Sequence, residues 1–203
     1  VIYPGLTFDE PTHTYRFQGK EVPSVTQLLD TALYNFAMVP EDLLQAAADR
    51  GTAVHLATEL YDQNDLDESS LEPEWVPYLD AWKKFRAESG FEIDFIERKV
   101  FHPTLHYAGT IDRGGVMSGK RWLIDIKTTS VVSHAAGVQL AAYEKAAREN
   151  DEIYKSARKV HRGVVQLKNN GTYRLVPFKE ESDWNTFVAL LNLHNWKKNH
   201  GTA

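Results

Sequence analysis

The chain has 203 residues, of which 42% are hydrophobic, 25% charged and 11% aromatic, enough for one domain with a sizeable core and far from a disordered composition. It contains no cysteine, which excludes disulfides, thiolate nucleophiles, cysteine-ligated zinc and iron–sulfur clusters, so any metal must take oxygen and imidazole ligands. The formal net charge of −5 argues against attraction of nucleic acid by the whole surface and leaves room only for a local basic face.

The opening VIYPGLTFDEPTH lacks a basic segment followed by an apolar core, and no stretch approaches the ~18 apolar residues of a membrane span, so the expected location is cytoplasmic. From there LTFDEPTHTYRFQGKEV alternates apolar and polar residues around turn formers and predicts short strands. PSVTQLLD offers Ser24 as a helix N-cap. A helix is predicted from Pro40 to about Tyr61, with Gly51 its weak point, and another over residues 73–90, where Pro77 must lie in the first turn or break it. The run DQNDLDESSLEPE between them is the best loop candidate.

The period then changes to strands at FEIDFIERKVF, YAGTIDRGGVM and RWLIDIKT. A helix over SHAAGVQLAAYEKAAREN follows, then strands KVHRGVVQLK and TYRLVPF joined through Asn169, Asn170 and Gly171, then a closing amphipathic helix, DWNTFVALLNLHNWKKNH. This order predicts an α/β (α+β) fold, a central mixed β-sheet flanked by helices. One domain over 1–203 is expected, with an N-terminal β-hairpin and helical extension over about 1–39. The basic groupings, Lys155, Arg158, Lys159 and Arg162 together with Lys120 and Arg121, read as a solvated surface.

The stretch DRGGVMSGKRWLIDIK poses an electrostatic problem. A two-residue turn at Ser118 and Gly119 pairs Met117 with Lys120 and sets Asp112 opposite Asp125. Directly opposed side chains lie roughly 5 Å apart at Cβ, and like charges there destabilise a sheet. A shared proton, a cation such as Lys127, or a bound metal would compensate. Alternation places Leu123, Asp125 and Lys127 on one face, with Gly109 and Gly114 leaving room above it, and Trp122, Ile124 and Ile126 on the other, a core face. A bulge at Gly114–Gly115 would shift the register by one.

RGTAVH at 50–55, GTIDR at 109–113, IDIKT at 124–128 and QLAAY at 139–143 occur in that order, with thirteen residues from aspartate to aspartate. This set resembles the PD-(D/E)XK nuclease superfamily, and within it the RecB-type exonucleases and their phage-encoded relatives; HTYRFQGKEVPSVTQLLD is similar to the start of many phage members. The resemblance implies a restriction-endonuclease-like core in which Asp112, Asp125 and Lys127 are catalytic. It implies one or two Mg²⁺ or Mn²⁺ ions held by His55, Asp112, Asp125 and the main-chain carbonyl of Ile126. Lys127 would orient or activate the attacking water and meet the developing phosphorane charge. Arg50, Gly51 and Thr52 are candidates for a phosphate, as are Thr128, Thr129 and Ser130. Gln139 and Tyr143, four apart on one helix face, would hold that helix against the site or touch the DNA backbone. Glu59, one turn beyond His55, and Glu97, placed at the start of its strand, are further metal-ligand candidates, although a surface glutamate is the expected reading of Glu97.

The implied activity is hydrolysis of DNA from its ends in phage recombination or replication, in the cytoplasm of a bacterial host, with a phage single-strand annealing or single-strand-binding protein as partner and an oligomer allowed. A flap or junction endonuclease and a non-catalytic DNA-binding module are the competing readings; the intact Asp112, Asp125 and Lys127 weigh against the last. No phosphate-binding loop of the G-x-x-x-x-G-K-[ST] type is present, so motor activity would need another protein.

Overall fold

The computed structural model describes residues 3–34 and 39–201; residues 1, 2 and 35–38 of the expected N-terminal extension lie outside it. Strands β1 (Leu6–Asp9), β2 (Thr14–Phe17) and β3 (Lys20–Val22) form a small antiparallel sheet. Gln18 and Gly19 both have positive φ, which matches the twist of a two-residue hairpin. The sheet seats Leu6, Tyr15 and Val22 against Phe101 and Ala108 of the main sheet. Helix α1 (Val25–Leu33) then starts with a reciprocal cap: the Gln27 amide donates to Ser24 Oγ and the Ser24 amide to Gln27 Oε1, each at 3.1 Å. Such a cap contributes about 1 kcal/mol.

Helix α2 (Glu41–Asp62) passes through Gly51 unbroken. Helix α3 (Val76–Ser89) begins late enough for Pro77 to sit in its first turn, where no amide is required, and ends on Gly90 at φ 61°. A short 3-10 turn, Glu68–Ser70, lies in the loop between the two helices.

The main sheet has five strands in the order β4 (Glu92–His102), β5 (Tyr107–Met117), β6 (Lys120–Lys127), β7 (Val160–Leu167), β8 (Tyr173–Phe178). All neighbours are antiparallel except β6 and β7. That parallel pair needs a crossover, which α4 (Ala135–Asn150) and the short α5 (Glu152–Ser156) provide. Helix α5 carries no sequence signal beyond Asp151, whose carboxylate caps it. Pro177 is tolerated in β8 because that strand is an edge. Helix α6 (Ser182–Asn199) closes the chain.

Helices cover both faces. Leu123 packs with Val25 and Leu29 of α1, Leu140 and Tyr143 of α4 and Phe187 of α6. Ile124 and Ile126 pack with Val54 of α2 and Trp82 and Phe85 of α3. Burial of each such side chain contributes roughly 1.5–3 kcal/mol. The face carrying Asp125 is therefore not open, as alternation alone suggests: the space above Gly109 is filled by the Tyr143 ring and that above Gly114 by Phe95 and Tyr154.

The β5–β6 hairpin has the register expected from its turn, Met117 opposite Lys120 through Arg113 opposite Ile124. Ser118 and Gly119 are both left-handed, at φ 51° and 68°. Gly114 and Gly115 stay in the ladder, opposite Leu123 and Trp122, and the bulge lies across from them on β4, between Ile93 and Phe95.

Candidate metal centre

The β5–β6 ladder stops one step short of the aspartates. Its last pair is Arg113 with Ile124, and the Ile126 amide donates to Asp112 Oδ2 at 2.7 Å. Side-chain alternation along β5 slips at this point. Gly109, Ile111 and Gly114 all face the α4 side, whereas Arg113 reaches Thr58 and Asp62 of α2 on the other. The slip turns the Asp112 carboxylate toward β6. Across the sheet on β4, Glu97 is held at φ 43° between the pairs Ile96–Arg113 and Arg98–Ile111. A left-handed glutamate costs on the order of 1–3 kcal/mol, and such strain clusters where a side chain must be aimed.

Helix α2 supplies the third group. His55 Nε2 donates to the Ile126 carbonyl at 2.9 Å, and Nδ1 lies 3.7 Å from Asp112 Oδ2. One ligand atom from each of His55, Glu97 and Asp112 lies within 4.8 Å of the others. Asp125, 1% exposed, lies on the next strand; its Oδ1 accepts from Gln139 Nε2 at 2.9 Å and from Lys127 Nζ at 3.2 Å. Its Oδ2 is buried without a hydrogen-bond partner.

Electrostatics follow from this crowding. Burial pushes the Glu97 carboxyl up to about 8, with Asp112 adding to the shift, Arg113 opposing it and Glu59 adding again. Burial likewise raises Asp125 to about 6, opposed by Lys127 and reinforced by Asp112. At Lys127, burial favours the neutral amine, but Asp125 and Asp112 outweigh it and the net shift is upward. The site is thus a set of buried carboxylates short of positive charge. Hard oxygen donors, one imidazole nitrogen and an orphaned carboxylate oxygen fit a divalent cation of the Mg²⁺ or Mn²⁺ type.

Beneath Glu97 lies a support that the sequence did not announce. Arg113, fully buried, donates from Nη1 to Glu97 Oε1 at 3.0 Å and to the Asp112 carbonyl at 2.7 Å, and from Nε to Asp62 Oδ2 at 2.7 Å. Asp62 also accepts from Trp82 Nε1 at 3.1 Å and pairs with Arg86. An arginine on the core face of a central strand was the available signal. Beyond β6, Gln166 Nε2 donates to the carbonyls of Thr129 and Ser130 at 2.7 and 2.9 Å and fixes that loop.

The cluster opens into a cleft of about 610 Å³ lined by Gly51, Thr52, Glu59, Lys127, Thr128 and Thr129, with Glu10 and His13 from the small sheet on its rim. Arg50 Nε donates to Thr128 Oγ1 at 3.4 Å beside an adjoining cavity of about 420 Å³ that Thr129 and Ser130 also line. Arg50, Thr52 and Thr128 thus stand on open ground near the cluster. Gln139 and Tyr143 do not: they are 5% and 3% exposed, bonded to each other at 3.3 Å and to Asp125 through Gln139, and packed inside the α4 interface. Buried there, Gln139 supports Asp125 and Tyr143 supports Gln139, the first of the two roles expected of them. Glu59 lines the cleft but accepts from Gln63, outside the three-residue cluster. Glu97 is neither at the start of its strand nor a surface residue, since β4 begins at Glu92 and the kink turns Glu97 inward.

No family model and no curated protein matches the chain. Among solved structures, it is similar to a protein from Eubacterium rectale named as a putative exonuclease, with a TM-score of 0.57 and 11% identity over 90% of this chain and 82% of that one. An alkaline exonuclease from Laribacter hongkongensis is matched with a TM-score of 0.35 and 12% identity over 88% of this chain and 92% of that one. The first likeness shows the fold: a mixed five-stranded sheet flanked by helices, the restriction-endonuclease-like core expected from the sequence.

Proposed function

We propose that the chain is a divalent-metal-dependent deoxyribonuclease that hydrolyses phosphodiester bonds from DNA ends. The observation that carries this reading is the convergence of His55, Glu97 and Asp112, near the buried and unpartnered Oδ2 of Asp125, where His55, Glu97 and Lys127 line an open cleft. His55, Asp112, Asp125 and the Ile126 carbonyl, joined by Glu97, would hold Mg²⁺ or Mn²⁺. When bound, such an ion supplies a Lewis acid for the phosphoryl oxygens and makes water a stronger nucleophile at neutral pH.

The remaining roles fall to side chains in place. Lys127 has its ammonium on Asp125 and a side chain 30% exposed toward the cleft, so it can donate to an attacking water and face the negative charge that builds on phosphorus. Gln139 fixes Asp125 from below, and Arg113 fixes Glu97. Arg50, Thr52 and Thr128 would contact phosphates along the cleft walls. The preference for DNA ends rests on the sequence resemblance to RecB-type exonucleases. That resemblance is also the sole support for a role in phage recombination or replication, beside a single-strand annealing or single-strand-binding protein.

The test is a time course on end-labelled linear duplex and covalently closed circular DNA with Mg²⁺, Mn²⁺ or chelator. Progressive loss of the linear substrate with metal, an intact circle and no reaction in chelator are expected. Cutting of the circle at the rate of the linear form would make the enzyme an endonuclease. Inertness toward both with either metal would refute the reading.

A further inference from the structure

A second cavity, of about 600 Å³, opens where α4, the start of β7, the end of β8 and the start of α6 meet. Six basic side chains line it, Lys145, Arg148, Arg158, Lys159, Arg162 and Lys179, against three acidic ones, Glu144, Glu180 and Glu181. In a chain of net charge −5 this is a local reversal of sign. It gathers Arg158, Lys159 and Arg162 of the basic run expected to be a solvated surface.

The cations divide into two groups. Arg162 is 8% exposed; it donates from Nη2 to the Glu180 carbonyl at 2.8 Å and pairs with Asp183 at 3.3 Å and Glu144 at 3.7 Å. Arg148 donates to the carbonyls of Tyr154 and Ala157 and pairs with Glu144. These two build the wall. Arg158, Lys159 and Lys179 are exposed and form no ion pair among the described residues. Their field is felt by His161, whose pKa is lowered by burial first and then by Lys159, Lys120 and Lys179, with Glu144 opposing. Two half-buried rings line the cavity and are held by the fold: Trp184 carries Lys145 Nζ 5.7 Å from its centroid and stacks on His102 and Phe187, and His161 stacks on Trp122, behind the lining, with centroids 4.9 Å apart.

Exposed cations without ion-pair partners are what tracks the backbone of single-stranded nucleic acid. The nuclease reading favours that occupant over an acidic peptide. Helix α4 joins this cavity to the metal centre, since Gln139 touches Asp125 and Arg148 lines the cavity, nine residues or roughly 14 Å apart along the helix. We propose that the cavity is a second DNA-binding site, holding the sugar–phosphate backbone of a single strand through Arg158, Lys159 and Lys179, remote from the cleavage site. The proposal rests on the nuclease reading above.

The experiment is fluorescence anisotropy of a labelled single-stranded oligonucleotide of about 20 nucleotides, in chelator and across a salt series, with wild type, the double variant Lys159→Ala/Lys179→Ala and the control Lys20→Ala. Both substituted lysines are exposed, so thermal unfolding should match wild type. The double variant should bind roughly tenfold more weakly, and its plot of log affinity against log salt should be shallower by about 1.4, the loss of two phosphate contacts. The control should match wild type. If wild type binds DNA and the double variant equals it in affinity and slope, the second site is refuted while the nuclease reading stands. If wild type binds no single-stranded DNA even at low salt, the second site is likewise refuted, while the nuclease reading is decided separately by the cleavage time course on duplex DNA.

Discussion

The amide of Ile126 donates to Asp112 Oδ2 at 2.7 Å, so a carboxylate occupies the place where the β5–β6 ladder would make its next rung. One hydrogen bond thus aims Asp112 and ends the ladder. An asparagine can accept the same bond without the charge that raises both Asp125 and Glu97. Asp112→Asn should therefore stabilise the metal-free protein by about 0.5–1 kcal/mol and weaken Mg²⁺ binding at least tenfold. Thermal unfolding in chelator and along a Mg²⁺ titration checks both; a variant stabilised by Mg²⁺ as much as wild type would refute the ligand assignment.

Asp125→Ala and Lys127→Ala should each abolish Mg²⁺-dependent cleavage in a protein that stays folded. The alanine at 125 leaves Gln139 and Lys127 without their shared acceptor, at a cost of about 1–3 kcal/mol. Circular dichroism establishes folding, and cleavage of linear DNA by both variants at the wild-type rate would mean that the site is elsewhere.

Stability without metal should fall as pH rises. Glu97 has a native pKa of about 8 against an ordinary 4.5, so between these values the native state holds a proton that the unfolded state has released. Its contribution is complete below pH 4.5 and lost through pH 8, with a slope of at most about 1.4 kcal/mol per pH unit. Asp125 adds the same trend between 3.8 and about 6. Saturating Mg²⁺ should flatten or reverse the slope, because it binds the ionised forms. Denaturation curves from pH 5 to 8.5 compared with Glu97→Gln isolate the first contribution; parallel pH profiles for the two proteins would contradict it.

Arg113→Met should cost about 3–5 kcal/mol, since it leaves the buried Asp62 carboxylate with less compensation and frees Glu97. Urea denaturation measures the loss, and a loss under 1 kcal/mol would show that Arg86 and Trp82 alone satisfy Asp62.

Much of this was legible from the chain. The two-residue turn set the hairpin register because Ser118 and Gly119 can both be left-handed, and Ser24, Pro77 and Gly90 marked helix ends by backbone chemistry that is local. The unread part depends on non-local geometry. Alternation is blind to a slip such as the one at Asp112, and to the Tyr143, Phe95 and Tyr154 rings that close the face it assigned to Asp125. Spacing put Gln139 and Tyr143 on one helix face, but only the packing of α4 shows that this face is buried. The partnership of Arg113 with Asp62 spans 51 residues, and only the arginine's own place on a central strand hinted at it.

The account turns on a divalent ion held where His55, Glu97, Asp112 and Asp125 meet. Anomalous scattering from crystals soaked in Mn²⁺ locates that ion directly. The predicted result is a peak within coordinating distance of the Asp112 and Asp125 carboxylates and the Ile126 carbonyl, with the His55 ring released from that carbonyl. A fully occupied peak elsewhere, with Asp125 Oδ2 still unpartnered, would contradict the account.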